Sequence, residues 1–409
     1  MRKKVIVIGA GAAGLIAAGR ASECGKDVLL LEKNDRVGKK LLISGKGRCN
    51  ITNNTDMEGL VQNIPGNGNF LYSSFYTFSN TDLLDLLHGE GLETKVERGG
   101  RIFPVSDKAQ DVVQLLKRYA ERRGARIELN TAVESIEAEN GCVSGVKLKN
   151  GSVVKCSSVI LATGGASYPG TGSTGDGYKM AQKLGHTIIP LKPSLVPLET
   201  SEKWVGELQG LSLKNVSITL VDKKGRKIYD DFGEMLFTHF GVSGPVILSC
   251  SRHIMQYDYR NVKLVIDLKP ALDEDTLDAR LQRDFEKFSR KQFKNSLDEL
   301  LPQKMIPVVV MLSQIPEEKP VNQITRNERK TLVKLLKSFT MEIAGSRPIA
   351  EAIVTAGGIC TDEVNPSTME SKLVKGLFLA GEVIDVDGYT GGFNLTIAFS
   401  TGYTAGLNC

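Results

Sequence analysis

The feature that most constrains this chain is its opening turn. Val5-Ile6-Val7-Ile8 is a continuous β-branched run, the pattern of a parallel strand buried on both faces. Gly9-Ala10-Gly11-Ala12-Ala13-Gly14 follows at once, then a small-residue helix from Leu15 to Cys24 and a second apolar strand from Asp27 to Leu31. Glu32 closes that strand, 18 residues after Gly14. A lone G-x-G-x-x-G says little, but between strand and helix, with an acid ending the next strand, it predicts a dinucleotide-binding fold. Gly9 permits the tight turn and Gly11 lets backbone approach a pyrophosphate. Gly14 lets the helix pack on the strand with its N-terminus aimed at the phosphates. An acid at position 32 favours an unphosphorylated ribose, as in FAD or NAD. The basic, apolar start mimics a signal peptide, yet the glycine spacing and the acids that follow read as strand, turn and helix.

Composition narrows the field further. Glycine contributes 42 of 409 residues, about 10% against a usual ~7%. With 14 prolines and no G-X-Y period, the excess points to loops where backbone approaches something closely. A hydrophobic fraction of 41% over this length predicts two or more domains. Seven scattered cysteines without a C-x-x-C exclude a disulfide framework, a zinc ribbon and a dithiol redox centre. Four histidines without H-E-x-x-H predict no metal site. No other run reaches the ~18 apolar residues of a membrane span, so a soluble, reduced, cytoplasmic protein is expected.

Charge is local rather than global. The balance is 52 basic to 47 acidic side chains, a net +5. Arg36, Lys39, Lys40, Lys46 and Arg48 put five cations into thirteen residues with no acid among them, with Gly45 and Gly47 flanking Lys46. Such a segment can cradle a diphosphate or attract an anionic substrate; a solvated basic loop is the alternative. Between Arg280 and Lys294 six cations face two acids, again either a partner surface or a solvated helix face.

The middle of the chain changes period. Residues 110–124 have amphipathic-helix spacing, and strands are predicted over 126–129, 132–138 and 143–148, with a hairpin at Asn150-Gly151. Val159-Ile-Leu-Ala-Thr-Gly-Gly165 reads as a buried strand ending in a glycine turn, and Thr174 or Asp176 as the cap of the next helix. Leu191 to Pro197, with two prolines, reads as a linker. Alternation over 216–221 and 261–267 predicts a small barrel or sandwich, and 273–300 and 325–340 read as helices. The glycine-rich signature returns at Ile353–Ile359, Ala380-Gly381-Glu382 and Asp387–Gly402, the last a turn opening a helix. Both chain ends therefore belong to one nucleotide-binding domain, with the middle inserted.

The N-terminal fingerprint with Glu32, Ala162-Thr163-Gly164 and Ala380-Gly381-Glu382 together resemble the two-dinucleotide-binding-domain flavoproteins. Three longer segments are more specific: Ser44-Gly-Lys-Gly-Arg-Cys-Asn50, Phe237-Thr-His-Phe-Gly-Val-Ser-Gly-Pro245 and Gly391-Gly-Phe-Asn-Leu-Thr-Ile-Ala-Phe-Ser-Thr-Gly402. They resemble the BaiN/YhiN-like flavoprotein family along essentially the whole chain. The resemblance implies an α/β fold in which a Rossmann-like three-layer FAD-binding domain is interrupted by a β-barrel-like domain and a small helical one. The corresponding boundaries are 1–190 and 346–409 for the FAD domain, 191–270 and 326–345 for the barrel-like insertion, and 271–325 for the helical one. It carries cofactor-binding roles onto Gly9, Gly11, Ala13, Gly14, Glu32, Lys33, Ser44, Gly45, Arg48, Cys49, Asn50, Val133, Thr163, Gly164, Gly381, Glu382, Gly392, Phe393, Asn394 and Leu395. Ala12, Lys40, Ala162 and Gly391, from the same segments, are included with them.

Three functions follow as expectations. The first is an FAD-dependent oxidoreductase that reduces an activated C=C bond, with uridine of 23S rRNA as substrate. The absence of a second G-x-G-x-x-G between 190 and 345 means that NADH or NADPH visits only transiently. Cys49, tuned by the cationic loop, and His239 are the candidate general acids, against small-residue packing and a structural hydrogen bond. Tyr168 and Tyr389 are candidate stacking residues, against ordinary packing. The second is a flavin enzyme acting on a small molecule, of ene-reductase or amine-oxidase type. The third is a non-enzymatic, FAD-stabilised RNA-binding or assembly factor. A pI near 8.7 permits an RNA partner without requiring one, and the oligomeric state stays open.

Overall fold

The computed structural model describes residues 3–409; the first two residues of the predicted N-terminal segment lie outside it. The chain divides into two units, Met1–Ser194 with Ile349–Cys409, and Leu195–Pro348.

The first unit is built on a five-stranded parallel sheet. Its order is Leu377–Leu379, Ser158–Leu161, Lys4–Ile8, Asp27–Leu31, Arg126–Glu128, with the opening strand at the centre. Val5 to Ile8 are all buried, as a strand covered on both faces requires. The helix Ala12–Glu23 follows and lies against the C-terminal helix Phe393–Asn408. Glycine makes that contact possible. A Cβ on Gly402 would sit 2.4 Å from the Ala13 carbonyl oxygen, and one on Gly406 2.4 Å from that of Ala17. A small antiparallel sheet (Thr52–Asn53, Arg101–Pro104, Thr94–Glu97) and a second one (Val133–Glu139, Cys142–Leu148, Val153–Lys155) complete this unit's larger strand sets.

The second unit is a closed antiparallel barrel of six strands. Its order is Leu198–Thr200, Gly241–Ser243, Lys227–Phe237, Ser212–Asp222, Val262–Asp267, Phe339–Ser346. Alternation places Val216, Ile218, Leu220, Leu264, Ile266, Phe339 and Met341 in the core. Helices Glu274–Lys287 and Arg326–Lys337 belong to this unit.

Four sequence expectations change. The linker at 191–197 is largely a strand: Ile188–Ser194 pairs antiparallel with Val354–Ile359. The pair forms a two-stranded sheet, all edge, and the register breaks between Ile189 and Lys192, around Pro190; edges and bulges are where strands tolerate proline. The helix expected over 273–300 stops at Lys287. The one expected over 325–340 stops at Lys337, because the alternation from Phe339 onward joins the barrel. Neither Thr174 nor Asp176 caps the helix Asp176–Lys183; Gly175 holds that position at φ 77°. Among the described residues no helix is long and apolar enough to cross a membrane.

Candidate functional site

The three glycines of the opening turn do different things. Gly9 has φ 98°, and a Cβ there would lie 2.6 Å from the Ala162 carbonyl oxygen; at Gly14 it would lie 1.8 Å from the Gly9 oxygen. Both are required by packing of the protein on itself. A Cβ on Gly11 would meet nothing within 4 Å among the described residues. Gly11 also heads the helix Ala12–Glu23, which has neither a side-chain cap nor an acid in its first turn. The unpaired amides of this helix start and the helix dipole favour an anion there. Glu32 sits beside this turn with its carboxylate buried. Its Oε2 accepts from the Ala10 amide at 2.8 Å, and its Oε1 from the Asn34 amide at 2.9 Å and Nδ2 at 2.7 Å. Lys33 Nζ donates to Thr174 Oγ1 at 2.5 Å and Asp176 Oδ2 at 2.7 Å, so both side chains are engaged on either side of the Gly175 N-cap. Val133, buried, follows Thr131, whose amide donates to the Glu32 carbonyl at 2.8 Å.

The C-terminal motifs arrive at the same place. Gly381, at φ 75°, leaves room for Ala13, whose Cβ would be 3.0 Å from a Cβ added there. Next to it Glu382 joins Lys40, 342 residues away: Nζ to Oε2 is 2.7 Å. Ser167 completes the cluster, accepting from Lys40 Nζ at 2.7 Å and donating to Glu382 Oε1 at 3.0 Å, while the Thr355 amide donates to the same oxygen at 2.8 Å. Gly392 heads the C-terminal helix at φ 104°, with Thr52 backbone where its Cβ would be, and Gly391 accepts from Asn53 Nδ2 at 3.0 Å. Phe393 is buried beneath this turn. Asn394 uses its side chain inside its own loop, donating to Gly388 and Tyr389 carbonyls and accepting from the Gly388 amide. Leu395 packs against the core from a half-buried position. Two buried oxygens in these segments, Asn50 Oδ1 and Thr163 Oγ1, have no hydrogen-bond partner among the described residues. An open glycine at an uncapped helix, a carboxylate beside it and orphaned polar atoms on neighbouring segments suit a dinucleotide.

Comparison with known proteins agrees. Residues 3–408 match the HI0933-like protein Rossmann domain family. The chain belongs to that family. It is 32% identical over 410 residues to the 3-dehydro-bile acid delta(4,6)-reductase of Clostridium scindens, covering 98% of each chain. It is also 32% identical over 405 residues to the ribosomal RNA dihydrouridine synthase of Escherichia coli, covering 98% of this chain and 96% of the relative. Among solved structures, the fold is similar to that of a flavocytochrome c3 fumarate reductase (TM-score 0.53, 17% identity, 100% of this chain and 78% of the other). The 3-ketosteroid-delta4-(5alpha)-dehydrogenase of Rhodococcus jostii RHA1 is comparable (TM-score 0.52, 16% identity, 99% and 96%). The chain is thus an enzyme of an oxidoreductase family, and the non-enzymatic expectation falls away.

In this HI0933-like chain the cationic loop is not a free basic patch. Lys39 pairs with Asp35 at 2.8 Å, Arg36 with Asp35 at 3.4 Å, Lys40 with Glu382, and Arg48 with Glu97 and Asp107. Lys46 alone of the five pairs with no carboxylate among the described residues. Ser44 Oγ donates to the Leu41 carbonyl at 2.7 Å, and a Cβ on Gly45 would press on the Asn50 amide nitrogen at 2.8 Å. The expectation that these cations tune Cys49 is overturned. Cys49 is fully buried, and burial pushes its thiol up to about 12, with only a hydrogen bond to Ser44 acting the other way. His239 lies in the second unit, exposed between two barrel strands, its ring edge-on to Phe240 at 4.9 Å.

The second basic stretch is also broken up. Arg280 pairs with Asp284, Lys287 with Glu299 and Lys294 with Glu317, while Arg283, Arg290 and Lys291 pair with no carboxylate among the described residues. Ala12 and Ala162 are buried, and Gly164 turns the chain at φ 73°. Sequence reading missed Ser167, Thr355 and Asn34. For Thr355 a signal existed: a polar residue inside the otherwise apolar, glycine-rich Ile353–Ile359 run.

Proposed function

We propose that this protein is an FAD-dependent reductase that adds hydrogen across an activated C=C bond, with uridine in 23S rRNA as its substrate and NADH or NADPH as a transient donor. The observation that carries the cofactor assignment is the open Gly11 at the uncapped head of the first helix, beside buried Glu32. In this reading the amides of Gly11, Ala12 and Ala13 receive the diphosphate and Glu32 the ribose hydroxyls. Gly381, Glu382 and the turn at Gly391 and Gly392 border the rest of the cofactor. Ser44, Gly45, Asn50, Thr163 and Gly164 supply backbone and polar atoms around it. Bound FAD supplies hydride transfer through N5; the protein supplies orientation and exclusion of water. Lys40, neutralised by Glu382, orients that carboxylate rather than answering the phosphate charge.

Support for the substrate comes from the Escherichia coli relative, a ribosomal RNA dihydrouridine synthase similar along the whole chain. Dihydrouridine is uridine with two hydrogens added across one C=C bond. The bile acid reductase relative, equally similar, supports a second reading in which a small enone-like molecule takes the same place. Mass spectrometry of 23S rRNA from cells with and without the gene separates them. Loss of a dihydrouridine on deletion is expected. Unchanged rRNA, with turnover of a steroid-like enone by the purified yellow protein and NADH or NADPH, would establish the second reading instead.

A further inference from the structure

Arg48 stands in a loop whose backbone resists its own sequence. Gly45 (φ 55°, ψ 34°), Lys46 (φ 59°, ψ 39°) and Gly47 (φ 85°) form a left-handed turn, and Cys49 follows at φ 62°. Lys46 and Cys49 are L residues in a region that side chains disfavour, so something outside the loop must hold it. Across from it lies the hairpin of Thr94–Glu97 and Arg101–Pro104. The Arg48 guanidinium lies 4.1 Å from the centre of the Phe103 ring, whose edge would be 3.2 Å from a Cβ on Gly45. Its Nε donates to Asp107 Oδ1 at 2.8 Å and its Nη1 to Glu97 Oε2 at 3.3 Å. Lys95 Nζ donates to Asp107 Oδ2 at 2.6 Å and Arg101 approaches Glu97 at 4.0 Å, so both carboxylates are shared with cations of the hairpin. The pairing with Arg48 also holds the Glu97 carboxyl below its usual range. Arg48 itself is bonded to two carboxylates, so its charge is answered within the protein.

We propose that Arg48 is a positioning residue: its planar fork and the Phe103 ring lock the strained Ser44–Cys49 loop onto the 94–104 hairpin, and it is not a phosphate ligand. The consequence for binding rests on the FAD reading above, because Ser44, Gly45 and Asn50 are the groups the lock would hold in place. A supporting residue of this kind changes affinity through its neighbours.

The test compares R48A, R48K and the double variant E97Q/D107N by FAD titration of flavin-free protein and by amide hydrogen exchange of residues 44–50 in the absence of FAD. All three variants are expected to weaken FAD binding by roughly tenfold and to speed exchange in the loop. Lysine restores the charge but not the fork, so it does not rescue. Wild-type affinity in E97Q/D107N together with loss in R48A would mean direct phosphate contact and overturn the proposal. Unchanged loop exchange in R48A and in E97Q/D107N would overturn it as well. If the wild type binds no FAD, the cofactor reading fails by itself, and the exchange arm still decides the lock.

Discussion

The two units of this chain are packed by different means. Of the 42 glycines, 35 lie in residues 1–194 and 349–409 and seven in 195–348. In the first unit backbone meets backbone: the first and last helices touch through Gly402 and Gly406, and the opening turn folds on itself through Gly9 and Gly14. In the second unit side chains fill the space, with Leu264, Ile266, Phe339 and Met341 alternating into a closed barrel. The contrast shows that a glycine excess has two separate causes. Most of these close approaches serve the protein's own packing, and Gly11 alone of the three in the opening turn faces open space.

That contrast can be broken at three points. Phe339→Ala removes a fully buried ring from the barrel, edge-on to Trp204, and is expected to cost roughly 3–5 kcal/mol in urea unfolding. A loss under about 1 kcal/mol would mean that side-chain filling does not hold the barrel. Gly402→Val drives a side chain into the Ala13 carbonyl and should cost about 1–3 kcal/mol by the same measurement. A neutral result would show the helix contact to be loose. Gly11→Ala should leave stability within about 0.5 kcal/mol, because its Cβ meets nothing and its φ of −83° suits any residue. FAD affinity should nonetheless fall at least tenfold, ~1.4 kcal/mol, in a fluorescence titration. Wild-type affinity in this variant would move the diphosphate away from the turn.

Much of the first unit was legible because its signals are local. The strand, glycine turn, helix and closing Glu32 occupy fewer than forty consecutive residues, and each constrains its neighbour by backbone geometry alone. The barrel was legible only as alternation, since closure depends on Leu198–Thr200 meeting Phe339–Ser346 across most of the unit. The proline-containing 188–194 strand was not legible, because its partner lies beyond residue 350, a bulge takes up Pro190 and a two-stranded sheet leaves Pro193 on an edge. The cations at 36–48 were visible, but their carboxylates were not: Glu97, Asp107 and Glu382 come from distant segments.

The sequence by itself determined the dinucleotide-binding opening, the family resemblance and the split between a glycine-rich and a barrel-forming part. These depend on residue types and short spacings. Tertiary structure alone decided what the charged and nucleophilic side chains do. It paired Arg48 with Glu97 and Asp107 and joined Lys40 to Glu382. It also buried Cys49 so that its thiol is pushed up rather than activated. The physical reason is range. Backbone geometry is set by near neighbours in the chain, whereas charge pairing and desolvation are set by whatever the fold brings within a few ångströms.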